Sequence, residues 1–251
     1  MTIAVIIPTL NEEQALPGTL ARVMRLGFDE IVVVDGGSTD RTREIVTSLR
    51  VTRDALPADP HQPPVARHPS PVTLLTVLPG RARQMNAGAA AGQADVLLFL
   101  HADTRLPDEA RQAIERALGN SACVGGRFDV RFERDRGLAW LIARLISLRS
   151  RWSGIATGDQ ALFVRRDVFA KLGGFADIPI MEDVDFTRRL KQAGRMEALR
   201  ARVVTSYRRW EQCGALRTIL LMWTLRLLYW LGVHPNKLKA FYTSAGKRTG
   251  S

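Results

Sequence analysis

The sequence predicts an α/β fold in which a mostly parallel β-sheet is flanked by helices and followed by an apolar or amphipathic helical tail. Ile3–Ile7, Ile31–Val34 and Val96–Leu100 are continuous aliphatic and aromatic runs, a pattern typical of strands covered on both faces. Helical periodicity separates these runs, as in a parallel sheet with crossover helices. With 251 residues and 46% apolar composition, the chain can form one such domain with an appendage.

The other elements of the first half follow from local patterns. Apolar residues at helical spacing predict a helix over Glu13–Arg25, and a second helix is predicted over Asp40–Leu49. Thr73–Val77 continues the sheet, and the small-residue segment Arg81–Ala91 is predicted to be a helix. Six of the twelve prolines lie within residues 52–71, so this segment is predicted to be an exposed, irregular insertion.

The second half is predicted to continue the alternation. Pro107 stands at the favoured first position of a helix that runs to Leu118. Val124–Phe132 alternates like a half-exposed strand, Leu138–Leu148 is predicted to be helical, and Ala161–Val164 is a short strand. A last helix of the domain is predicted over Asp183–Ala193.

Two regions are predicted: a domain of residues 1–210 and a C-terminal helical segment of residues 211–251. Ala215–Val233 is rich in Leu, Trp and Tyr and nearly long enough to span a membrane, but Arg217 and Arg226 interrupt it. Because a charge in the bilayer centre is costly, an interfacial helix with its arginines toward anionic lipid fits better. The alternatives are a helix packed on the domain, a helix in a homodimer interface, and a true membrane span.

The charge balance narrows the possible partners. The formal net charge is +11, and only five of the 36 basic residues are lysines. Such a charge fits nucleic acid, an anionic membrane surface or a phosphate-bearing substrate. Nucleic-acid binding requires a clustered basic stripe with interleaved aromatics, whereas only residues 200–209 form a cluster here. We therefore expect no nucleic-acid partner.

Cysteine usage and the amino terminus predict the compartment. Cys123 and Cys213 have no paired spacing, so neither a disulfide framework nor a zinc site is expected, and a reducing cytoplasm is the default. The first apolar run lacks a basic region and is broken by Pro8 and Asn11, which indicates a strand and not a signal peptide. With the tail at a membrane surface, we expect a cytoplasmic protein, peripheral on the inner face of the cell membrane.

Polar residues follow the first three apolar runs directly. Asn11, Asp35 and Asp103 come just after the runs predicted to be strands. Ligands of parallel α/β sheets bind beyond the carboxyl ends of the strands, so these side chains are expected to converge on one crevice.

Four segments resemble the motifs of family 2 glycosyltransferases with the GT-A fold, in the family's order and roughly its spacing. They are Ile6–Glu12, Val33–Asp40, His101–Thr104 and Met181–Asp185. The resemblance covers residues 3–210. A His-Ala-Asp-Thr motif in place of Asp-x-Asp is most similar to a bacterial subgroup with an unsettled acceptor.

The resemblance implies a nucleotide-sugar donor, a UDP- or GDP-sugar, in the crevice. Pro8, Asn11 and Glu12 stand where the family holds the nucleoside. Asp35 matches the carboxylate that accepts hydrogen bonds from the base, which is sensible chemistry for the N–H of uracil or guanine. Alternatively, Asn11 is a turn former, and Asp35 and Asp40 cap the following helix.

The segment from Arg81 to Asn86 matches a family segment that lines the donor site. Arginines near a diphosphate offer charge-assisted hydrogen bonds. Arg81, nearest the loop, is the better candidate, and Arg83 can equally be a solvated helix charge. We also expect Asn86 to contact the donor.

The resemblance also implies a divalent metal, Mn²⁺ or Mg²⁺. Asp103 resembles the last acid of Asp-x-Asp and is the expected metal ligand, whereas His101 replaces the first acid. Imidazole suits manganese better than magnesium, so His101 can still be a ligand, or it can instead contact the donor. The metal would neutralise charge on the departing diphosphate.

Glu182 and Asp183 resemble the family's acidic pair, in which the aspartate is the catalytic base. Local geometry supports the assignment independently, because Asp183, Phe186, Leu190 and Ala193 form one row that faces the core. A carboxylate at this helix start is partly desolvated yet favoured by the helix amino terminus.

The segment Ser206–Trp210 resembles the Gln-x-x-Arg-Trp motif of processive relatives, with Ser206 in place of Gln. Arg209 and Trp210 would close over the diphosphate or shape the acceptor site, unless they form a membrane-proximal anchor.

Together these residues predict an inverting, metal-dependent glycosyltransferase that acts on a hydroxyl or carboxyl of a lipid-like or small acceptor. A sugar nucleotidyltransferase is disfavoured because Pro8–Leu16 contains no glycine. The alternatives are a catalytically degenerate nucleotide-sugar-binding protein, because His101 replaces an acid, and a basic protein that binds membrane surfaces.

Overall fold

The computed structural model describes residues 1–54 and 72–247. Its first half alternates strands and helices in the predicted order: β1 (Ile3–Thr9), α1 (Leu16–Arg25), β2 (Glu30–Asp35), α2 (Thr42–Asp54), β3 (Val72–Thr76), α3 (Arg81–Ala91) and β4 (Val96–Phe99). Residues 55–71 of the predicted insertion lie outside the described residues. Residues 52–54 were also predicted to belong to it, but they form the last turn of α2.

The second half contains more elements than the sequence predicted. They are β5 (Thr104–Arg105), α4 (Ala110–Leu118), β6 (Cys123–Phe132), α5 (Gly137–Ser153), β7 (Leu162–Arg165), α6 (Arg166–Lys171), α7 (Glu182–Ala193), β8 (Arg195–Thr205), α8 (Arg208–Cys213), α9 (Ala215–Trp230) and α10 (Pro235–Lys247). A 3₁₀ turn, Gly158–Gln160, precedes β7.

The eight strands form one sheet with the order β3-β2-β1-β4-β7-β6-β8-β5. The four strands β3, β2, β1 and β4 are parallel, as predicted. The second half is mixed, because β7 is antiparallel to both β4 and β6, whereas β6 and β8 are parallel. The amino end of β7 therefore lies at the same edge of the sheet as the carboxyl end of β4.

The apolar runs are buried on both faces of the sheet, as their lack of alternation predicted. In β1, Ile3, Val5 and Ile7 belong to one core cluster, and Ala4 and Ile6 belong to a second cluster on the other face. All five side chains are fully buried. Burial of this kind contributes roughly 1.5–3 kcal/mol for each large aliphatic side chain, so β1 anchors the part of the sheet that positions the site.

The C-terminal helices pack on the domain beside the start of α7. Leu225 of α9 and Leu238 of α10 are buried against Met181, the residue before α7. This packing was one of the predicted alternatives for the tail. Among the helices of the described residues, none is both long and apolar enough to cross a bilayer.

Candidate active site

A cavity of about 650 Å³ lies at the sheet edge where β4 ends and β7 begins. Six predicted site residues line it: Arg81, His101, Asp103, Glu182, Asp183 and Trp210. They come from the start of α3, the turn after β4, the start of α7, and α8. Of the three residues expected to converge on one crevice, only Asp103 reaches this cavity, because Asn11 and Asp35 are absent from its lining.

Asp183 is held at the floor of this cavity by backbone groups. One carboxylate oxygen accepts a 2.7 Å hydrogen bond from the Gly158 N–H, and the other accepts a 2.7 Å bond from the Val184 N–H. Phe186 and Leu190 on the same helix row are fully buried, as predicted. Ala193, at the end of the row, is exposed. The buried part of the row fixes the rotation of α7 and so directs Asp183 toward the cavity.

The backbone before α7 is strained. Met181 has φ +71°, a left-handed conformation that is uncommon for a residue with a side chain. Met181 is buried against Leu225 and Leu238 of the tail. Because such strain persists only where packing enforces it, the tail helices help to set the position of the acidic pair.

Glu182 is almost fully buried, and its carboxylate lies 3.4 Å from the Arg81 guanidinium. Burial raises the pKa of Glu182, Arg81 opposes this rise, and Asp183 adds to it. Burial lowers the pKa of Arg81, but Glu182 and Asp183, with smaller contributions from Tyr242 and Asp159, more than offset this effect and raise the pKa. Arg81 therefore offsets the negative charge of Glu182 and Asp183 and is itself a charged group in the cavity lining.

His101 is a neutral imidazole at neutral pH, because burial and the neighbouring Arg81 guanidinium hold its pKa well below the usual range. Its Nε2 atom is buried and has no hydrogen-bond partner among the described residues. The same atom packs against Gly158. A neutral imidazole can bind a metal, but the adjacent cation disfavours a metal at this nitrogen.

Asp103 lies in the turn after β4 and is partly buried. Burial raises its pKa, while the nearby Arg208 guanidinium lowers it. Burial also raises the pKa of Glu12, and Asp103 adds to that rise. Arg208 lies 3.9 Å from the Glu12 carboxylate. Glu12, Asp103 and Arg208 thus form one electrostatic group, of which Asp103 lines the cavity.

The structure tests whether Asp103 fits a divalent metal. No group of three or more His, Cys, Asp or Glu side chains within residues 1–54 and 72–247 is arranged to hold an ion by itself. However, Mg²⁺ is usually bound by one or two carboxylates together with substrate phosphates. Asp103 fits such a shared site, in which a diphosphate supplies the other oxygens.

The two loops predicted to hold the nucleoside are tied to each other. Asn11 has φ +55°, and its side-chain oxygen accepts a 2.9 Å bond from the Thr39 N–H. The fully buried Asp35 carboxylate accepts bonds of 3.0 Å from the N–H groups of Gly37 and Ser38. Asn11 is therefore a turn former in this structure, and Asp35 shapes its own loop.

Pro8 and Asn86 also lie outside the cavity lining. Pro8 is paired with Val34 within the sheet. The Asn86 amide donates a 2.8 Å bond to the Phe175 carbonyl and accepts a 2.9 Å bond from the Phe175 N–H. The Asn86 side chain thus fastens the backbone after β7 to α3.

The aromatic residue of the predicted Arg-Trp pair reaches the site. Trp210 stacks on Tyr207 with ring centroids 6.4 Å apart and contacts the Phe132 ring edge-to-face at 5.9 Å. The side chain of Arg209 lies outside the described part of the chain. Its neighbour Arg208 is the arginine that faces Glu12 and Asp103.

Sequence reasoning missed several cavity residues, among them Arg149, Gly158, Asp159 and Arg226. Gly158 and Asp159 precede β7, whereas the sequence analysis looked for site residues only after the carboxyl ends of strands. They reach the site because β7 is antiparallel to β4. Arg149 lies one residue beyond the helix predicted over Leu138–Leu148, whereas α5 runs to Ser153. Arg226 was interpreted as a charge directed toward lipid.

Gly158 gives the first testable prediction. A Cβ atom at this position would lie 2.4 Å from His101 Nε2, so Gly158→Ala must displace the His101 ring or the loop that holds Asp183. A displacement of about 1 Å can lower a rate about 100-fold, and we expect a loss of about 10- to 100-fold in donor turnover.

Gly119→Ala is the matched control, because Gly119 has φ −60° and its added Cβ would lie no closer than 3.4 Å to a neighbour. Turnover by both variants is measured together with their thermal melting. Wild-type turnover by Gly158→Ala would show that activity does not depend on the packing of this loop against His101.

The mixed sheet with an acidic cavity at the end of β4 is the arrangement of the GT-A class of glycosyltransferases. The model of glycosyl transferase family 2 matches residues 4–176, and the chain belongs to this family.

Curated relatives agree with this assignment. The probable glycosyltransferase YdaM of Bacillus subtilis is 28% identical over 212 residues, which are 76% of this chain and 47% of the relative. An undecaprenyl-phosphate 4-deoxy-4-formamido-L-arabinose transferase of Pectobacterium carotovorum is 33% identical over 129 residues, 49% of this chain and 36% of the relative. The chain thus spans less than half the length of either protein.

Solved structures share the fold. S. aureus TarS 1–349 in complex with UDP-GlcNAc matches with a TM-score of 0.57 and 19% identity, over 82% of this chain and 58% of that chain. The mannosyltransferase PcManGT from Pyrobaculum calidifontis, in complex with GDP-Man and Mn²⁺, matches with a TM-score of 0.59 and 20% identity, over 80% of this chain and 56% of that chain.

Proposed function

We propose that this protein is an inverting glycosyltransferase that moves a sugar from a UDP- or GDP-sugar to a lipid-like acceptor, with Asp183 as the base. One observation carries the proposal: the Asp183 carboxylate, held by the Gly158 N–H, faces the same cavity as Asp103 and Arg81. A base for the acceptor and groups for the donor diphosphate are thereby brought together.

The donor side is formed by Asp103, Arg208 and Arg81. TarS 1–349 and PcManGT were solved with a UDP-sugar and a GDP-sugar respectively, which supports a nucleoside diphosphate sugar here. Arginines provide charge-assisted hydrogen bonds to a diphosphate. A Mn²⁺ or Mg²⁺ ion bound by Asp103 and the diphosphate would neutralise charge on the leaving group.

On the acceptor side, Asp183 takes the proton of an acceptor O–H group, on an alcohol or on a phosphate monoester, while that oxygen forms a bond to the anomeric carbon. The bond from this carbon to the diphosphate oxygen breaks, and its electron pair leaves with the nucleoside diphosphate. Attack opposite to the departing group inverts the anomeric configuration. A positioned base of this kind accounts for about 10²- to 10⁴-fold in rate.

A lipid-like acceptor is supported by the surface around the cavity. Along α9, Leu216, Leu220, Trp223, Leu227 and Trp230 are all more than half exposed. α5 also exposes apolar residues, and the arabinose transferase relative is named for an undecaprenyl-phosphate acceptor. Contiguous exposed apolar surface often marks an interaction site, and an anionic membrane surface fits the net charge of +11.

The membrane contact predicts a measurable loss of binding. Trp223→Ser together with Trp230→Ser removes two indoles that are 63% and 81% exposed. Since aromatic residues anchor interfacial helices, we expect the fraction that co-sediments with phosphatidylglycerol vesicles to fall severalfold. The Trp→Phe pair is the control, and undiminished sedimentation of the Ser variant would place the anchor elsewhere.

A second candidate is a nucleotide-sugar-binding protein without turnover. The observation in its favour is His101, a neutral imidazole beside Arg81, at the position where the resemblance expects an acid.

A screen of UDP- and GDP-sugars for Mn²⁺-dependent release of nucleoside diphosphate tests both candidates. Slow hydrolysis of one donor is expected of the transferase. Donor binding without any release, with or without lipid extracts as acceptor, would favour the second candidate.

A further inference from the structure

Two arginines line the active-site cavity on the side of the proposed base. Arg149 comes from α5 and Arg226 comes from α9. Within the described part of the chain, neither guanidinium lies within 4.0 Å of a carboxylate. The Nε and Nη2 atoms of Arg149 are shielded from solvent and have no hydrogen-bond partner there. Because unpaired buried charges are costly, this arrangement indicates a missing anionic partner.

The surroundings support the same conclusion. Burial lowers the pKa of Arg149 to about 10, and Arg226 contributes to the shift. The acids that interact most strongly with both arginines are Asp159 and then Asp183. Asp159 and Asp183 lie near the two guanidiniums, but neither forms an ion pair with them within 4.0 Å in the described residues, and the Oδ1 atom of Asp159 has no hydrogen-bond partner there. The unpaired Nε and Nη2 donors of Arg149 are therefore available to an added anion.

The pair lies on the apolar side of the cavity. Arg149 and Arg226 come from α5 and α9, which also supply apolar lining residues, whereas Arg81 comes from α3 and lies 3.4 Å from the Glu182 carboxylate. Asp183 and Asp159 interact with all three arginines, so the two sides of the cavity differ in their apolar surface and not in their charge. An anion bound by Arg149 and Arg226 would therefore belong to a molecule with an apolar part.

The same two helices supply an apolar groove. Its eight apolar lining residues are Ile142, Leu145, Ile146, Leu148, Trp152, Ile219, Met222 and Trp223. Leu145, Leu148, Trp152 and Trp223 are at least half exposed. On α5, the exposed Leu138, Leu141, Leu145, Leu148 and Trp152 recur at intervals of three and four residues, so they form one stripe along the helix. The groove is therefore continuous with an open apolar surface.

We propose that Arg149 and Arg226 bind the phosphate headgroup of an amphiphilic acceptor, whose apolar chain lies in the groove between α5 and α9. The inference rests on the proposed function and names its acceptor class as a phosphate monoester on a long apolar chain. Arginine matches phosphate with its fork of donors, and the groove excludes water from the chain. Charge and apolar surface together select this class over a free sugar.

The test measures binding of dodecyl phosphate to the full chain, below its micelle concentration, by the change in tryptophan fluorescence. Dodecanol is the neutral control, and inorganic phosphate reports the headgroup alone. Hydrogen bonds to charged groups contribute about 1.5–3 kcal/mol, which corresponds to about 10- to 100-fold in affinity. We expect Arg149→Gln, and Arg149→Gln with Arg226→Gln, to weaken dodecyl phosphate binding by this factor and to leave dodecanol binding unchanged.

Arg144→Gln is the matched control, since Arg144 is exposed on the same helix and lies over the Trp140 ring. It should bind dodecyl phosphate like the wild type. Each variant is checked for folding by its thermal melt. Equal binding of dodecyl phosphate by the wild type and the Gln variants would overturn the proposal. So would a protein that is dimeric through this groove and binds no amphiphile.

Titration of the same variants with UDP and GDP in Mn²⁺ separates this proposal from the proposed function. Unchanged nucleotide affinity is expected, whereas a parallel loss would assign the arginine pair to the donor and overturn the inference. Phosphate-selective binding without any donor hydrolysis would contradict the transferase alone. Donor hydrolysis without phosphate selectivity would contradict the arginine site alone.

Discussion

Asp183→Asn is expected to lower sugar transfer by about 10²- to 10⁴-fold and to leave the affinity for the donor nucleotide close to that of the wild type. In the proposed mechanism the carboxylate acts on the acceptor proton and not on the diphosphate, so only the chemical step should suffer. Asparagine keeps one oxygen, which can accept the 2.7 Å bond from Gly158, and loses only the bond from the adjacent Val184 N–H. The contact with the Gly158 loop is thereby preserved, and the loss reports the missing base.

Donor turnover and nucleotide titration on the same preparation check this result. Asp167→Asn is the matched control, because Asp167 also lies in the first turn of a helix but is exposed and pairs only with Lys171 in the described residues. Near wild-type turnover by Asp183→Asn would remove Asp183 from the role of base. A matching loss of nucleotide affinity would place it on the donor instead.

Asp103→Ala is expected to weaken metal-dependent binding of the nucleoside diphosphate itself by at least about tenfold. Even groups that only support a metal ligand affect metal affinity by about 10- to 100-fold, and Asp103 is the proposed ligand. Binding is titrated in Mn²⁺ and in EDTA, and the variant should resemble the wild type once the metal is removed.

Asp108→Ala serves as the control for this experiment, because Asp108 is an exposed acid that pairs with Arg22 at 2.7 Å, outside the cavity lining. It should keep the full response to Mn²⁺. An Asp103→Ala variant with the same response would contradict the assignment of Asp103 to the metal.

The parallel half of the sheet could be predicted from sequence because each strand buries both faces. A strand that is buried on both faces needs apolar residues at every position, which is visible in the sequence as a continuous apolar run such as Ile3–Ile7. The direction of Asp183 could be predicted for a similar reason, since the buried Phe186 and Leu190 fix the face of the helix on which it lies. In both cases, local sequence alone determines which side is buried.

The other half could not be predicted in the same way. β8 has intermediate burial along most of its length and alternates arginines with small and apolar residues, so it lacks the apolar run of a central strand. Asp159 reaches the site only because β7 reverses direction, and strand direction is not encoded locally. Arg149 and Arg226 line the same cavity only because the fold brings together two helices that are distant in sequence.

The nucleoside loops show a limit of motif resemblance. Asn11 and Asp35 match the family by residue type, yet in this structure their side chains fasten one loop to another and shape a turn. Residue type does not distinguish an oxygen that serves the fold from one that serves a ligand. Their roles in donor binding stay predictions, as do those of Pro8, Glu12 and Asn86.

The central claim is that the acids and arginines around this cavity bind a nucleoside diphosphate together with a divalent metal. Calorimetric titration of the full chain with UDP and with GDP, in Mn²⁺ and again in EDTA, tests it most directly. We predict that one of the two nucleotides binds and that removal of the metal weakens it by about tenfold or more. Absence of binding by both nucleotides in Mn²⁺ would contradict the account.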